Sequence, residues 1–313
     1  DVNPDSAPAQ HVNDREYAVS KGYVVTNADG SPYRIPSGQW FGDSIVPDFT
    51  NAAATDWWMS KRAYLVDEIG IDGFKTDGGE VIFGRGATFS DGSNGDSMHN
   101  AYPTAYTKAY SDFLDAHKPG ASTLFSRSGT QGAQATSIFW AGDQNSSFTG
   151  LNDALRAGLS AGTSGVPFWS WDLAGFTGDF PSSELYLRSA AMSVFTPVMQ
   201  YHSEKSNPRI SEARTPWNVQ ERTGDTSVVP TFRKFASTRM SMMPYLYTAA
   251  KTASSRGTPM MQTMGSAFPD DTTATGLDQQ YMFGPDLLVA PITTEGSTSK
   301  DLYLPDGEWF DLW

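Results

Sequence analysis

Apolar positions recur along the chain in two alternating rhythms, short runs of period two and longer stretches near period 3.6, and this predicts strands and helices in turn. After an opening broken by Pro4 and Pro8, helical spacing is expected over 13–21. Runs at 22–26 and 33–35 flank Asn27-Ala28-Asp29-Gly30 and predict a hairpin with an Asp-Gly turn. Thr50 or Asn51 is placed to cap a helix over 53–68, and a strand over 70–76 follows it directly. Further helices are expected at 100–117, 151–160, 183–194 and 232–254, and further strands at 122–129, 137–143, 165–172, 258–265 and near 287–290. Helix then strand, joined by short connections, is the signature of a parallel sheet flanked by helices.

About five such units can be counted, whereas a closed parallel barrel needs eight. The expected fold is therefore α/β, a (β/α)8 barrel lacking its first strands in this chain, followed by the start of a C-terminal β-domain. The expected boundaries are 1–295 for the barrel portion, with loop excursions at 22–47 and 196–231, and 296–313 for the start of a β-sandwich module. Missing strands leave exposed sheet edges. The rest of the barrel and flanking β-domains are accordingly expected on the parent polypeptide or on another chain.

Composition narrows the function. The absence of cysteine among 313 residues removes disulfides, thiol catalysis and thiolate metal sites. No cofactor and no metal site are expected. The longest apolar runs fall far short of the ~18 residues needed to span a bilayer, so no membrane partner is expected. The compartment stays open between cytoplasm and secretion, for a soluble protein of bacterial type. A net charge of −13 argues against nucleic acid, whose polyanionic backbone calls for clustered Lys and Arg. Aromatics make up 13% of residues, with 9 Trp, which suits the flat apolar faces of sugar rings as well as it suits a core rich in Phe and Tyr.

The chemistry concentrates where apolar runs end in charge. Ile71-Asp72-Gly73-Phe74 leads into Lys75, Asp77 and Glu80, at what reads as the C-terminal mouth of a strand. Lys75 and Asp77 are two residues apart and share a side. The next expected strand carries Arg127 at its mouth, and the one after, through Ile138-Phe139-Trp140, ends in Asp143. Gly165 to Asp172 closes on a further carboxylate. A lone strand-terminal Asp is often only a helix cap. Two carboxylates, with a lysine adjacent to the first and an arginine on the intervening strand, point instead to paired nucleophile and acid chemistry on a sugar.

At this point the sequence resembles glycoside hydrolase family 31, the retaining α-glucosidases, α-xylosidases and relatives. The motifs run in order from Asn3-Pro4 through Asp48-Phe49-Thr50-Asn51, Phe74-Lys75-Thr76-Asp77-Gly78-Gly79-Glu80, Phe125-Ser126-Arg127-Ser128 and Trp140-Ala141-Gly142-Asp143. They continue through Phe168-Trp169-Ser170-Trp171-Asp172, Arg214-Thr215-Pro216-Trp217 and Met243-Pro244-Tyr245 to Pro305-Asp306-Gly307-Glu308-Trp309. The resemblance implies a TIM barrel, an oligosaccharide or α-glycoside substrate, Asp77 as nucleophile and Asp143 as acid/base. It also implies that Lys75, Arg127, Asp172 and His202 bind substrate hydroxyls, with Trp140 and Trp169 as walls. Glu80, three residues after Asp77, is expected to orient its neighbours rather than act as a second acid. In such a mechanism the two carboxyl groups stand about 5 to 5.5 Å apart. Lys75 and Arg127 are expected to favour an ionised Asp77, and the apolar run before Asp143 to favour a protonated one.

Three departures bear on the sugar. Gly78 stands where the family usually carries a bulky residue, which predicts a roomier pocket. Asp172-Leu173-Ala174-Gly175-Phe176 replaces the common Asp-Ile-Gly-Gly-Phe, and Trp171 replaces a frequent polar residue. Glucose, xylose, galactose, N-acetylgalactosamine and glycosyl transfer all stay open. So do two readings of another class: a divalent-metal barrel enzyme using Asp77, Glu80, Asp143 and Asp172, and a non-catalytic sugar-binding fragment.

Overall fold

A computed structural model describes residues 9–202 and 213–313; Asn3-Pro4 and the Glu204 part of the long loop lie outside them. The chain divides into two compact units, 1–138 and 139–313.

In the first unit, helix α1 (Ala9–Ser20) leads to a hairpin excursion whose strand β1 (Thr26–Asn27) is followed by α2 (Ala52–Ser60) and α3 (Ala63–Asp67). Then come β2 (Gly73–Thr76), β3 (Ala87–Thr88), α4 (Gly95–His117) and β4 (Thr123–Ser126). The single helix expected over 53–68 is two helices. Asn51 caps the first through bonds to the Ala53 and Ala54 amides. The second starts after Arg62, whose guanidinium lies 3.8 Å over the Trp58 ring and donates to the Trp58 carbonyl. Helix α4 starts five residues before the expected position, because Asn94 and Ser97 form a reciprocal capping box inside what reads as loop.

Strands β2 and β4 run parallel, with Lys75 opposite Phe125 and Thr76 opposite Ser126. Phe74 and Leu124 pack with Tyr110 and Leu114 of α4, which fixes the helix-facing side. Lys75 and Asp77 take the other side by alternation. The excursion has its own core of Val25, Tyr33, Ile35 and Val46, shared with Ile82 and Phe89 from the loop after β2. Buried Asp48 fastens the two together, accepting from the amides of Thr50 and Ser90 at 2.9 and 2.8 Å.

The second unit opens with β5 (Ile138–Trp140), α5 (Phe148–Thr163), β6 (Trp169–Ser170) and α6 (Ser183–Ser193). Next are α7 (Pro216–Thr223), α8 (Val228–Ser241) and α9 (Met243–Arg256). The expected helix over 232–254 breaks at Met242. Pro244 cannot donate to the Met240 carbonyl and its ring would clash there. Strand β7 (Met261–Thr263), short helices α10 (Met264–Ala267) and α11 (Thr272–Thr275), β8 (Tyr281–Phe283) and β9 (Leu287–Val289) complete the order.

Strands β5 and β6 are parallel, Phe139 opposite Trp169 and Trp140 opposite Ser170. Helix α5 presents Leu151, Ala154, Leu155, Gly158, Leu159 and Gly162 to the core at helical spacing. The strand over 258–265, expected as a last barrel strand, pairs antiparallel with β8, which pairs antiparallel with β9, and the Met260 amide just before it donates to the Pro167 carbonyl ahead of β6. A short apolar run carries no information on pairing direction, and only 17 residues separate Thr263 from Tyr281 here, with two small helices between.

Candidate functional site

Asp77 and Arg127 are each the first residue beyond a paired strand, in equal register. The Arg127 amide continues the ladder to the Thr76 carbonyl, and the Arg127 guanidinium lies 3.3 Å from Asp77 Oδ1. Its Nε donates to Glu80 Oε1 at 2.8 Å, so one cation spans two carboxylates. Arg127 is only 14% exposed, whereas Asp77 is 44% exposed: the cation is set in the wall and the carboxylate faces outward. Glu80 is thus a direct hydrogen-bond partner of the Arg127 guanidinium. Lys75 shares the Asp77 side of β2 and is exposed.

The turn after Asp77 needs two glycines. Gly78 and Gly79 have φ of +75° and +102°, which residues with a Cβ rarely adopt. A Cβ on Gly79 would lie 2.6 Å from Ser128 Oγ. The Gly78 amide donates to Asp77 Oδ1 at 2.8 Å, fixing the carboxylate rotamer. Tyr106 donates to the Asp77 carbonyl. Burial, reinforced by Tyr110, pushes the Tyr106 phenol well above its ordinary range and keeps it a donor. The roomier floor expected from Gly78 is partly filled: Trp40 and Phe41, from the excursion, reach within 3.7 Å of where its Cβ would stand.

In the second unit Asp143 follows β5 through Gly142, at φ +76°, and is exposed. The apolar run before it does not jacket the carboxylate. Phe139 faces the helix side with Trp169, and Trp140 is buried on the opposite side, over Ser170. The loop after Asp143 is pinned to the one after Asp172. The Ser146 amide donates to the Thr177 carbonyl at 2.9 Å, and Thr177 Oγ1 donates to Asn145 Oδ1 at 2.8 Å and to the Asp143 carbonyl. Gly175 permits this contact, since a Cβ there would lie 2.6 Å from the Ser146 backbone. Buried Arg214 closes the loops, donating to Ser146 Oγ at 3.1 Å and to the carbonyls of Thr177 and Asp179.

Asp172 is buried, and Gln200 Nε2 donates to its Oδ1 at 2.8 Å. The Gln144 amide, turned so that each atom meets a complementary group, accepts from the Asp172 amide at 3.2 Å and donates to the Gly142 carbonyl. His202 meets the Phe176 ring edge-on at 4.6 Å. The segment that brings Gln200 is held by Arg239, which donates to the carbonyls of Val194, Thr196 and Pro197. Burial lowers the Arg239 pKa to about 10, which leaves it a cation at neutral pH.

One expected wall residue sits elsewhere. Trp169 packs beneath α5, so close that a Cβ on Gly158 would stand 2.8 Å from its indole, and it belongs to the core rather than to a pocket wall. Strand alternation carries this signal: Trp169 is odd relative to Ser170 and Asp172. Trp40, Tyr106, Thr177 and Gln200 were not anticipated. They come from the excursion, a helix and loops, where no apolar run ends in charge. Among the described residues no three His, Asp or Glu side chains cluster as a metal would require. Nor is any helix among them long and apolar enough to cross a membrane.

Residues 2–249 match the model of the glycosyl hydrolases family 31 TIM-barrel domain, and 257–313 that of the family's C-terminal domain. An isomaltosyltransferase of Sporosarcina globispora is 54% identical over 97% of this chain, which spans 28% of that relative's length. The cycloalternan-forming enzyme from Listeria monocytogenes, solved with a pentasaccharide substrate, superposes with a TM-score of 0.96 at 54% identity, over 99% of this chain and 29% of its own. A cycloalternan-degrading enzyme from Trueperella pyogenes, solved with a covalent intermediate, gives 0.94 at 38% identity over 99% of this chain and 42% of its own.

Proposed function

The chain belongs to glycosyl hydrolase family 31, and from that premise we propose that Asp77 and Asp143 are nucleophile and acid/base of a retaining enzyme acting on α-glycosides. The Asp77 carboxylate attacks the anomeric carbon while the glycosidic C–O bond breaks and Asp143 gives its proton to the leaving oxygen. Asp143 then takes a proton from water or a sugar hydroxyl, whose oxygen displaces Asp77 from the same carbon. Two inversions leave the α configuration. Lys75, Arg127, Asp172 and His202 hold substrate hydroxyls. The observation that carries the reading is Arg127 in register with Asp77 at the mouth of adjacent parallel strands, bridging it to Glu80.

The unit moved is an isomaltosyl group, passed to another sugar. Support comes from the relative named isomaltosyltransferase and from the neighbour solved with a pentasaccharide, both at 54% identity. Hydrolysis of the same bond is the second reading, favoured by the neighbour named as cycloalternan-degrading. A panel of 4-nitrophenyl α-isomaltoside, α-glucoside, α-xyloside, α-galactoside and α-N-acetylgalactosaminide, with and without an acceptor sugar, separates these readings in the polypeptide carrying the chain. The expected result is release from the isomaltoside, with a first-formed product of α configuration. Release from none returns the fragment or metal reading, and an inverted product removes the two-carboxylate assignment.

A further inference from the structure

Resting on that reading, we propose that Phe41 determines specificity: its outward face is the shelf on which the second glucosyl ring of the isomaltosyl unit stacks. Trp40 and Phe41 stack with centroids 4.2 Å apart and planes 27° apart. The Arg127 guanidinium lies 4.3 Å over the Trp40 ring. Arg127 and Phe41 thus both lie against the Trp40 ring. One face of the Phe41 ring is taken by Trp40, and the half-exposed ring offers its other face outward.

Its placement costs the chain something and gains it no core. Phe41 has φ +59°, a left-handed conformation unfavourable for a residue with a Cβ. Yet it is 45% exposed, Trp40 is 51% exposed, and neither joins the cluster that holds the excursion together. Persistent strain beside an open aromatic surface is the mark of a surface kept for a ligand. The position fits one too. Phe41 Cε2 and Trp40 Cζ3 each stand 3.7 Å from where a Gly78 Cβ would be, so the shelf begins at the residue that follows Asp77. A bulky side chain at 78 would cover its edge; glycine leaves it bare. A glucosyl ring in a 1,6 linkage has the extra rotatable C5–C6 bond that lets it fold over from a first ring held at Asp77. The apolar face of a pyranose is what an aromatic ring takes.

The experiment compares 4-nitrophenyl α-isomaltoside with 4-nitrophenyl α-glucoside on the intact polypeptide and on Phe41→Ala, Phe41→Tyr and Phe41→Gly. Phe41→Ala is expected to lower kcat/KM for the isomaltoside about tenfold more than for the glucoside, chiefly through KM, since one aromatic stacking contact is worth about that factor. Phe41→Tyr keeps the preference. Phe41→Gly, which relieves the left-handed backbone, shows the same selective loss at an equal or higher melting temperature and so separates recognition from folding. Equal losses on both donors, or none, overturn this proposal and leave the two-carboxylate reading standing. A parent protein that releases neither donor overturns both.

Discussion

Arg127 and Asp77 stand one residue beyond the ends of β4 and β2, in register, with 3.3 Å between guanidinium nitrogen and carboxylate oxygen. The backbone ladder fixes that separation, because adjacent strands lie about 4.8 Å apart and residues in equal register face the same way. The pair is thus held by the sheet, and Glu80 locks the guanidinium from its other side.

Replacing Glu80 by Gln tests the lock. Glu80 is half exposed and Arg127 keeps its contact with Asp77, so stability should change by no more than about 1 kcal/mol. The catalytic loss should be larger, about tenfold in kcat/KM, because Arg127 no longer has one fixed orientation. Denaturant melts beside steady-state kinetics make the comparison. Loss of stability without loss of rate would assign Glu80 to the fold alone.

Asp143→Ala should depend on the leaving group. A 2,4-dinitrophenolate leaves without a proton, so cleavage of that glycoside should suffer little in the first step, whereas an oligosaccharide should lose about 10²- to 10⁴-fold. Added azide should restore turnover and yield the α-glycosyl azide. Uniform loss on both donors would remove Asp143 from the acid role.

The loop carrying Asp143 rests on Gly175 and Arg214. Gly175→Ala forces a Cβ against the Ser146 backbone at φ +92° and should cost at least about 2 kcal/mol, read by equilibrium unfolding. Unchanged stability would mean that the two loops are not in contact.

Arg214→Met keeps the length of the side chain and removes its donors to Ser146, Thr177 and Asp179. The expected cost is about 2 kcal/mol, with a fall in kcat at unchanged KM because the loop that aims Asp143 loosens. A rise in KM alone would make Arg214 a substrate contact.

Much of this was legible in the chain because charge at the end of an apolar run is a strong local signal. Asp77, Arg127 and Asp143 each close such a run, and each follows a strand in the structure. What stayed hidden depends on partners distant in sequence. Gln200 reaches Asp172 across 28 residues, and Trp40 meets Arg127 from within the excursion. Trp169 reads as a wall by motif, but its parity on the strand turns it under α5, where Gly158 makes room for the indole. The early start of α4 at Gly95 was masked by capping residues that have loop composition. Met242 ends α8 because of a proline two residues on, a local signal that helical periodicity over 232–254 overrides.

The central claim is that Asp77 forms the covalent bond to the sugar. A 5-fluoro-α-glycosyl fluoride of the donor accepted in the panel should trap the intermediate, and mass spectrometry of the digested protein should find one added glycosyl mass on the peptide containing Asp77, absent from Asp77→Ala. Labelling of a different residue, or inactivation with no covalent mass, would contradict it.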